Sequence, residues 1–333
     1  MSEYRGIFGE AIQSLPSSTG TIEGQIWYDS SNNNLKLIGT TASASFATGT
    51  ALPANRQNAG QAGTQTAAIV AGGQPPGSPY NTNTSYTYDG SSWTATNNLG
   101  TARRLAVMMG TQPAALLAGS GTTPPTTGLV ATEEWDGTNW TSGGNMATLR
   151  YGNFSGGTQT QAVIAGGSGP ATQFDDTEEY NGSSWTTVTN MPANQGNGIS
   201  GADSQTDMYC VSGSPGNLTT SVVYDGTNWT AGASLSGDGR RGSGGSLATS
   251  SGPGFITCGE TATVNPITTT EEWNGTAFSS STACPTATRD QANGDNGTGA
   301  AGLVVGGYNT AIANNVFEFT GSGIIETRTI TAS

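Results

Sequence analysis

Histidine is absent from this 333-residue chain, lysine occurs once, at Lys36, and cysteine three times. Without imidazole, the zinc, serine and cysteine hydrolases that depend on it are excluded. Positive charge is scarce as well: 10 Lys and Arg stand against 23 Asp and Glu, a net charge of −13. Nucleic acid and anionic membrane surfaces would both require a basic patch, so neither is an expected partner. No apolar run approaches the roughly 18 residues of a membrane span. The start, "MSEYRGIFGE", has no basic region followed by an apolar core, so no secretory signal is expected. Cys210, Cys258 and Cys284 cannot all pair, and their spacing is not that of a metal site. Cys210 and Cys258 fall in the apolar runs "MYCVSG" and "FITCG" and read as small buried hydrophobes of a chain made in a reducing cytosol. Helix signals are poor too, because Gly or Pro interrupts nearly every window of a dozen residues.

Glycine and aromatics are what the chain has in quantity: 51 Gly, 7 Trp, 10 Tyr and 8 Phe. A hydrophobic content of 33% would suit disorder, but disordered segments lack aromatics at this density. Short strands joined by tight turns account for both. A hexapeptide recurs: "YDGSSW" (88–93), "WDGTNW" (135–140), "YNGSSW" (180–185), "YDGTNW" (224–229), "WNGTAF" (273–278) and a decayed "FTGSGI" (319–324). Its glycines, Gly90, Gly137, Gly182, Gly226, Gly275 and Gly321, are spaced by 47, 45, 44, 49 and 46 residues. Periods of this length belong to propellers and solenoids.

Each unit carries more than the hexapeptide. Before it comes an apolar run ending in glycine, such as "AAIVAGG" (67–73), "AVIAGG" (162–167) or "GLVVGG" (302–307). Before that lies a polar, glycine-containing segment, usually with arginine. One unit therefore reads as four strands, and Asp-Gly or Asn-Gly between the last two predicts a two-residue hairpin turn with positive φ at both central residues. Six such units predict an all-β, six-bladed β-propeller over residues 46–333. "FATGTALPANRQ" (46–57) aligns with "WTSGGNMATLRY" (140–151), placing Phe46 in the outer-strand Trp column. That strand is expected to complete the last blade; the alternative is that "IIETRTITAS" does so.

The apolar run ending in Gly-Gly, then Tyr or Trp, then Trp, resembles the kelch repeat, and the absent Gly-His pair argues against WD40. Residues 1–45 stand outside the period. There "GQIWYDSSNNNLKLIG" (24–39) predicts a hairpin whose Ile26, Trp27, Tyr28, Leu35 and Leu37 need a partner, since a lone hairpin is marginal in water. This "G-x-I-W-Y-D…N-x-L-K" start is similar to attachment segments of bacteriophage tail fibres. "TEEWDGTNW" (132–140) and "TEEYNGSSW" (177–185) look like units of kelch-type proteins of phages that infect marine cyanobacteria. The resemblance implies a virion structural protein, tail-fibre or baseplate-associated, held by its first 45 residues to other virion proteins, with trimers as the analogous assembly. A capsid-decorating head fibre fits the same implication.

Catalysis and cofactors are not expected. The copper oxidases built on this kind of propeller need imidazole ligands. The Asp-Gly turns lack the intervening residue of the sialidase Asp-box. Arginine, however, gathers in one column at the start of the first strand of each unit: Arg56, Arg103, Arg104, Arg150, Arg240, Arg241 and Arg289. A ring of Arg103, Arg150, Arg240 and Arg289 at one end of the central channel could bind an anionic sugar or a carboxylate-bearing partner. The acid pairs Glu133/Glu134, Glu178/Glu179 and Glu271/Glu272 supply the structural reading, one acid of each pair facing in to meet an arginine. Repetition of these acids in three units speaks against a unique catalytic pair, leaving a glycan-processing enzyme as the rival. The loops 74–85, 121–131 and 168–176, with Tyr80, Thr84, Phe174 and Asp175, are the candidate surface for a host polysaccharide.

Overall fold

The computed structural model describes residues 13–15, 26–29, 34–40, 43–121, 128–170, 172–247, 249–292, 294, 297–298, 301–322 and 325–330. The chain divides into two compact units, Met1–Ser45 with Gly321–Ser333, and Phe46–Thr320. There is no helix among the described residues, hence none long and apolar enough to cross a membrane.

The smaller unit is a four-stranded sheet ordered Gln13–Leu15, Ile26–Asp29, Asn34–Thr40, Ile325–Ile330. The expected hairpin is there, with Trp27 opposite Lys36 and Tyr28 opposite Leu35. The end of the chain, read from the sequence as part of the propeller, pairs instead with the second hairpin strand, Thr327 opposite Ile38. The side chains of Ile26, Trp27, Leu35 and Leu37 lie outside the described residues.

The larger unit is a six-bladed β-propeller of four-stranded antiparallel sheets. Blades 1 to 5 occupy residues 60–95, 107–142, 154–187, 199–231 and 244–281. Blade 6 takes three strands from 297–320 and its fourth from Ser45–Thr48. Phe46 packs on Phe319 with ring centroids 5.0 Å apart, as Trp93 does on Tyr88 at 4.7 Å in blade 1. The outer strand that precedes the first unit thus closes the ring.

Composition follows from position within a blade. Inner strands of successive blades run side by side around the axis, the last beside the first. They approach so closely that a Cβ at Gly201 would stand 1.6 Å from the Leu247 carbonyl oxygen, which is why glycine lines the axis. Second strands are buried on both faces; all of Ala162–Ala165 is enclosed. The apolar clusters sit between blades. Ile69 and Ala71 of blade 1, for example, pack with Met108, Leu117 and Trp135 of blade 2.

The hexapeptide turn differs from the expected one. Tyr88 pairs directly with Trp93, so four residues form the loop, and only its glycine has positive φ, +89° at Gly90. Asp89 supplies a side-chain cap: its Oδ1 accepts from the backbone N–H of Ser91 at 2.9 Å and Ser92 at 2.7 Å. Asn181 Oδ1 accepts likewise from Ser183 and Ser184, both at 3.0 Å. An acceptor oxygen is all the position requires, so Asp and Asn exchange freely.

A glutamine in the first turn of a blade adds a link the sequence reading missed. Gln112 Nε2 donates to the carbonyls of Ala68 at 3.2 Å and Tyr88 at 2.7 Å in the preceding blade. Gln159 and Gln205 repeat both bonds one and two blades on.

Candidate functional site

Antiparallel strands put the turns between first and second and between third and fourth strands at one end of the propeller. The longer connections, with the arginine column, lie at the other. Arg103, Arg150 and Arg240 are buried there, each beside the inward acid of its own blade: Glu133, Glu178 and Glu271. Arg240 Nη2 donates to Glu271 Oε1 at 2.6 Å. Each guanidinium also donates to backbone carbonyls, as Arg103 Nη1 does to Ala131 O at 2.9 Å. The partner acids point the other way: Glu134 and Glu179 accept from Tyr180 and Tyr224 of the next blade, the latter at 2.9 Å, and Glu272 accepts from Ser281 of its own. Arg56 has no acid opposite it, since Tyr86 stands where blade 2 has Glu133; it lies over the Tyr86 ring at 4.9 Å and donates to Thr84 Oγ1 at 2.8 Å. Blade 4 fills the position with Gln195, whose Nε2 donates to Ser212 O at 2.5 Å. This inner column is blade structure.

The residue after each column member points elsewhere, because successive side chains of an extended segment alternate. Gln57, Arg104, Tyr151, Gly196, Arg241 and Arg289 form backbone bridges to Gln74, Gly121, Ser168, Ser214, Glu260 and Tyr308 around the mouth of the channel. Arg289, grouped by the sequence with Arg103, belongs to this outer set; Thr288 stands in the buried column, its carbonyl accepting from Gly259 N at 2.8 Å as Arg103 O does from Gly73 N.

One residue further on, the backbone closes a ring. Asn58 N–H donates to Asp290 O, Leu105 to Asn58, Gly152 to Leu105, Asn197 to Gly152, Gly242 to Asn197 and Asp290 to Gly242, at 2.7–3.0 Å. All six residues have φ between 54° and 61°. Six left-handed residues linked blade to blade fix the mouth, and the side chains above it inherit that rigidity.

Charge gathers at this mouth. Arg241 Nε donates to Glu260 Oε1 at 2.5 Å, with Arg241 50% and Glu260 8% exposed. Arg289 Nη1 lies 3.5 Å from the other Glu260 oxygen and 3.0 Å from Asp290 Oδ2, its guanidinium over the Tyr308 ring at 5.0 Å. Arg104 Nη1 donates to Gln74 Oε1. Burial raises the Asp290 carboxyl above the usual range; Arg289, Arg241 and Arg104 pull it back and Glu260 raises it further. Burial lowers the Arg104 guanidinium, against the pull of Tyr151 and Asp290.

Of the loop residues, Tyr80 stands 43% exposed. Thr84 is engaged by Arg56. The Phe174 ring covers Gly169, and the Asp175 carbonyl accepts from Met191 N at 2.8 Å. Loop residues 122–127 lie outside the described residues. A cleft of about 400 Å³ opens between blades 4 and 5, lined by Asn217, Arg241, Glu260 and the loop Thr261–Asn265. Among the described residues no group of three His, Cys, Asp or Glu could hold a metal ion.

No family model matches the chain, and no curated protein matches it. Solved structures do: 302 chains match, among them one titled "Structure of YjhT", with a TM-score of 0.63 at 11% identity, covering 85% of this chain and 99% of that one. A scaffold shared so widely establishes the propeller and leaves function to the site.

Proposed function

We propose that the protein is a non-catalytic virion structural protein, tail-fibre or baseplate-associated, whose propeller binds a glycan of the host surface. The observation that carries the non-catalytic part is the use of the repeated acids: Glu133, Glu178 and Glu271 are each taken up by a buried arginine of their own blade. A hydrolytic pair would need two carboxyl groups flanking one bond. What the open face offers instead is hydroxyl- and amide-rich loops on a rigid ring, the usual arrangement for recognition. The virion part rests on the resemblance of "GQIWYDSSNNNLKL" and the "TEEW" units to phage structural proteins. The smaller unit would then dock the protein to other virion components, with trimers as the assembly.

Mass spectrometry of purified particles, followed by labelled-antibody imaging, tests this reading. Label at the tail tip supports it, and label over the head replaces adhesion with capsid decoration. Absence from particles refutes the virion role and returns the glycan-processing enzyme to consideration.

A further inference from the structure

The propeller holds seven arginines within Phe46–Thr320, and the four of the inner column are buried in its blades. The other three, Arg104, Arg241 and Arg289, all stand at one mouth, in a chain of net charge −13. These three guanidiniums share the mouth with the carboxylates of Glu260 and Asp290, so the mouth carries more arginine than acid in a chain that is acidic overall.

Arg241 is the member that faces an open volume. Its ion pair with Glu260 uses Nε, while Nη1 and Nη2 make no bond to the described residues and the side chain is 50% exposed. Glu260 binds Arg289 from its second oxygen and so pins two guanidiniums at once. The Nη1–Nη2 edge of a guanidinium matches a carboxylate with two parallel hydrogen bonds. The cleft beside it, about 400 Å³, falls in the range of about 300–1,000 Å³ typical of small-molecule sites. Its walls are Asn217 from blade 4 and Thr261, Thr263 and Asn265 from blade 5, with two exposed apolar side chains, Ala262 and Val264. Hydroxyl and amide groups beside a guanidinium suit a ligand with both a carboxylate and hydroxyls. A peptide would want more apolar contact than Ala262 and Val264 give.

We propose that this cleft binds a hexuronate residue of an acidic polysaccharide, the carboxylate on the Nη edge of Arg241 and the ring hydroxyls on Asn217, Thr261, Thr263 and Asn265. The proposal rests on the glycan-binding reading above and narrows it to acidic glycans.

Titration calorimetry of the full chain with a galacturonate hexamer, and with maltohexaose as the neutral counterpart, tests it. The galacturonate hexamer should bind, more weakly as salt rises, and maltohexaose should not. Arg241→Gln should weaken binding about tenfold or more, as expected for loss of a charged hydrogen-bonded pair. Arg241→Lys should restore part of it, since the charge returns without the fork. Thr263→Val, an exposed loop change that leaves the Arg241–Glu260 pair intact, should lower affinity and serves even if Arg241→Gln disturbs folding. Equal binding by the wild type, Arg241→Gln and Thr263→Val overturns the proposal, as does wild-type binding of neither sugar. Binding of a polyglutamate peptide as tight as that of the galacturonate hexamer overturns it in favour of an acidic protein partner. Finding the protein in particles with no uronate binding sinks this inference alone; uronate binding by a protein absent from particles sinks the virion role alone.

Discussion

Glu178→Val should be among the most damaging single changes in the propeller, and a second substitution should repair much of the damage. Arg150 and Glu178 are both 0% exposed. Glu178 accepts from Arg150 Nη2 and from the backbone N–H of Ala147 at 2.7 Å and Thr148 at 3.3 Å. With valine there, the guanidinium keeps only the carbonyls of Gly166 and Asp176 and stays buried without a counter-charge. Breaking such a pair from one side destabilises by about 3–5 kcal/mol. The two backbone N–H groups add little, because Ala147 is exposed and water can replace the carboxylate. Arg150→Gln alone leaves a buried carboxylate and should be comparably harmful. Blade 4 already contains the repaired version: Gln195 and Val222 occupy these two positions, with Gln195 bonded to Ser212 O. The double variant Arg150→Gln/Glu178→Val copies that blade and should lose only about 1 kcal/mol, giving a coupling of several kcal/mol in a double-mutant cycle. Urea unfolding followed by tryptophan emission, with the slope checked for constancy, measures each term. A double variant as unstable as the sum of the singles would refute the claim that the pair is a self-contained blade element.

Gly275→Ala should destabilise more than Gly137→Ala in thermal melts. Both glycines have φ near +90°, where alanine is strained by about 1–2 kcal/mol. At Gly275 the new Cβ would also meet Ser251 O at 2.3 Å, whereas at Gly137 the nearest atom is 3.3 Å away. Backbone N–H donors, with the Ser91 hydroxyl at Asp89, hold Asp89, Asp136 and Asp225 below the usual carboxylate range. Their stabilisation is therefore present above the unfolded value of about 3.9 and lost as pH falls below it. Replacing all three with Asn, as at 181 and 274, should flatten the acid limb of a stability–pH curve; an unchanged limb would contradict the capping role. Burial and bonds to Glu318 and Glu134 push Tyr88 and Tyr180 up to about 12. Stability from these hydroxyls holds below about pH 10 and is lost as pH rises toward 12, so the Tyr88→Phe/Tyr180→Phe variant should show a shallower alkaline decline by circular dichroism. Gln112→Ala breaks two inter-blade bonds and should lower stability by about 1–3 kcal/mol in the same urea assay.

The architecture was legible because it is periodic. Six spaced turns set the blade number, and Phe46 in the tryptophan column gave the closure, realised by its packing on Phe319. Strand alternation alone divides Glu133 from Glu134. The turn itself was misread because Asp-Gly was weighed as a dipeptide; the Ser or Thr and then Asn, Ser or Ala that follow it were the sign of a four-residue loop with a side-chain cap. Gln65, Gln112, Gln159 and Gln205 recur 47, 47 and 46 residues apart, a column as regular as the glycines and overlooked because glutamine carries no turn or core signal. The smaller unit was legible only as a hairpin. The pairing of Ile325–Ile330 with Asn34–Thr40 joins segments nearly three hundred residues apart, and no local pattern announces it.

The arginines mark the boundary between what repetition reveals and what it hides. Alternation applied to Arg103-Arg104 and Arg240-Arg241 assigns the two members of each pair to opposite environments. The first recurs in four blades and meets a partner within its own sheet; the second is drawn from a set that reads Gln57, Arg104, Tyr151, Gly196, Arg241, Arg289. Six equivalent positions, each one residue before the hydrogen-bonded ring, thus carry four different residue types. Positions that must be alike for the blades to pack are alike. The positions one residue further along have no such obligation, and their differences make the mouth asymmetric. In a repeated fold the residues that build it are found by aligning the repeats, and the residues proposed here to bind stand where the alignment fails.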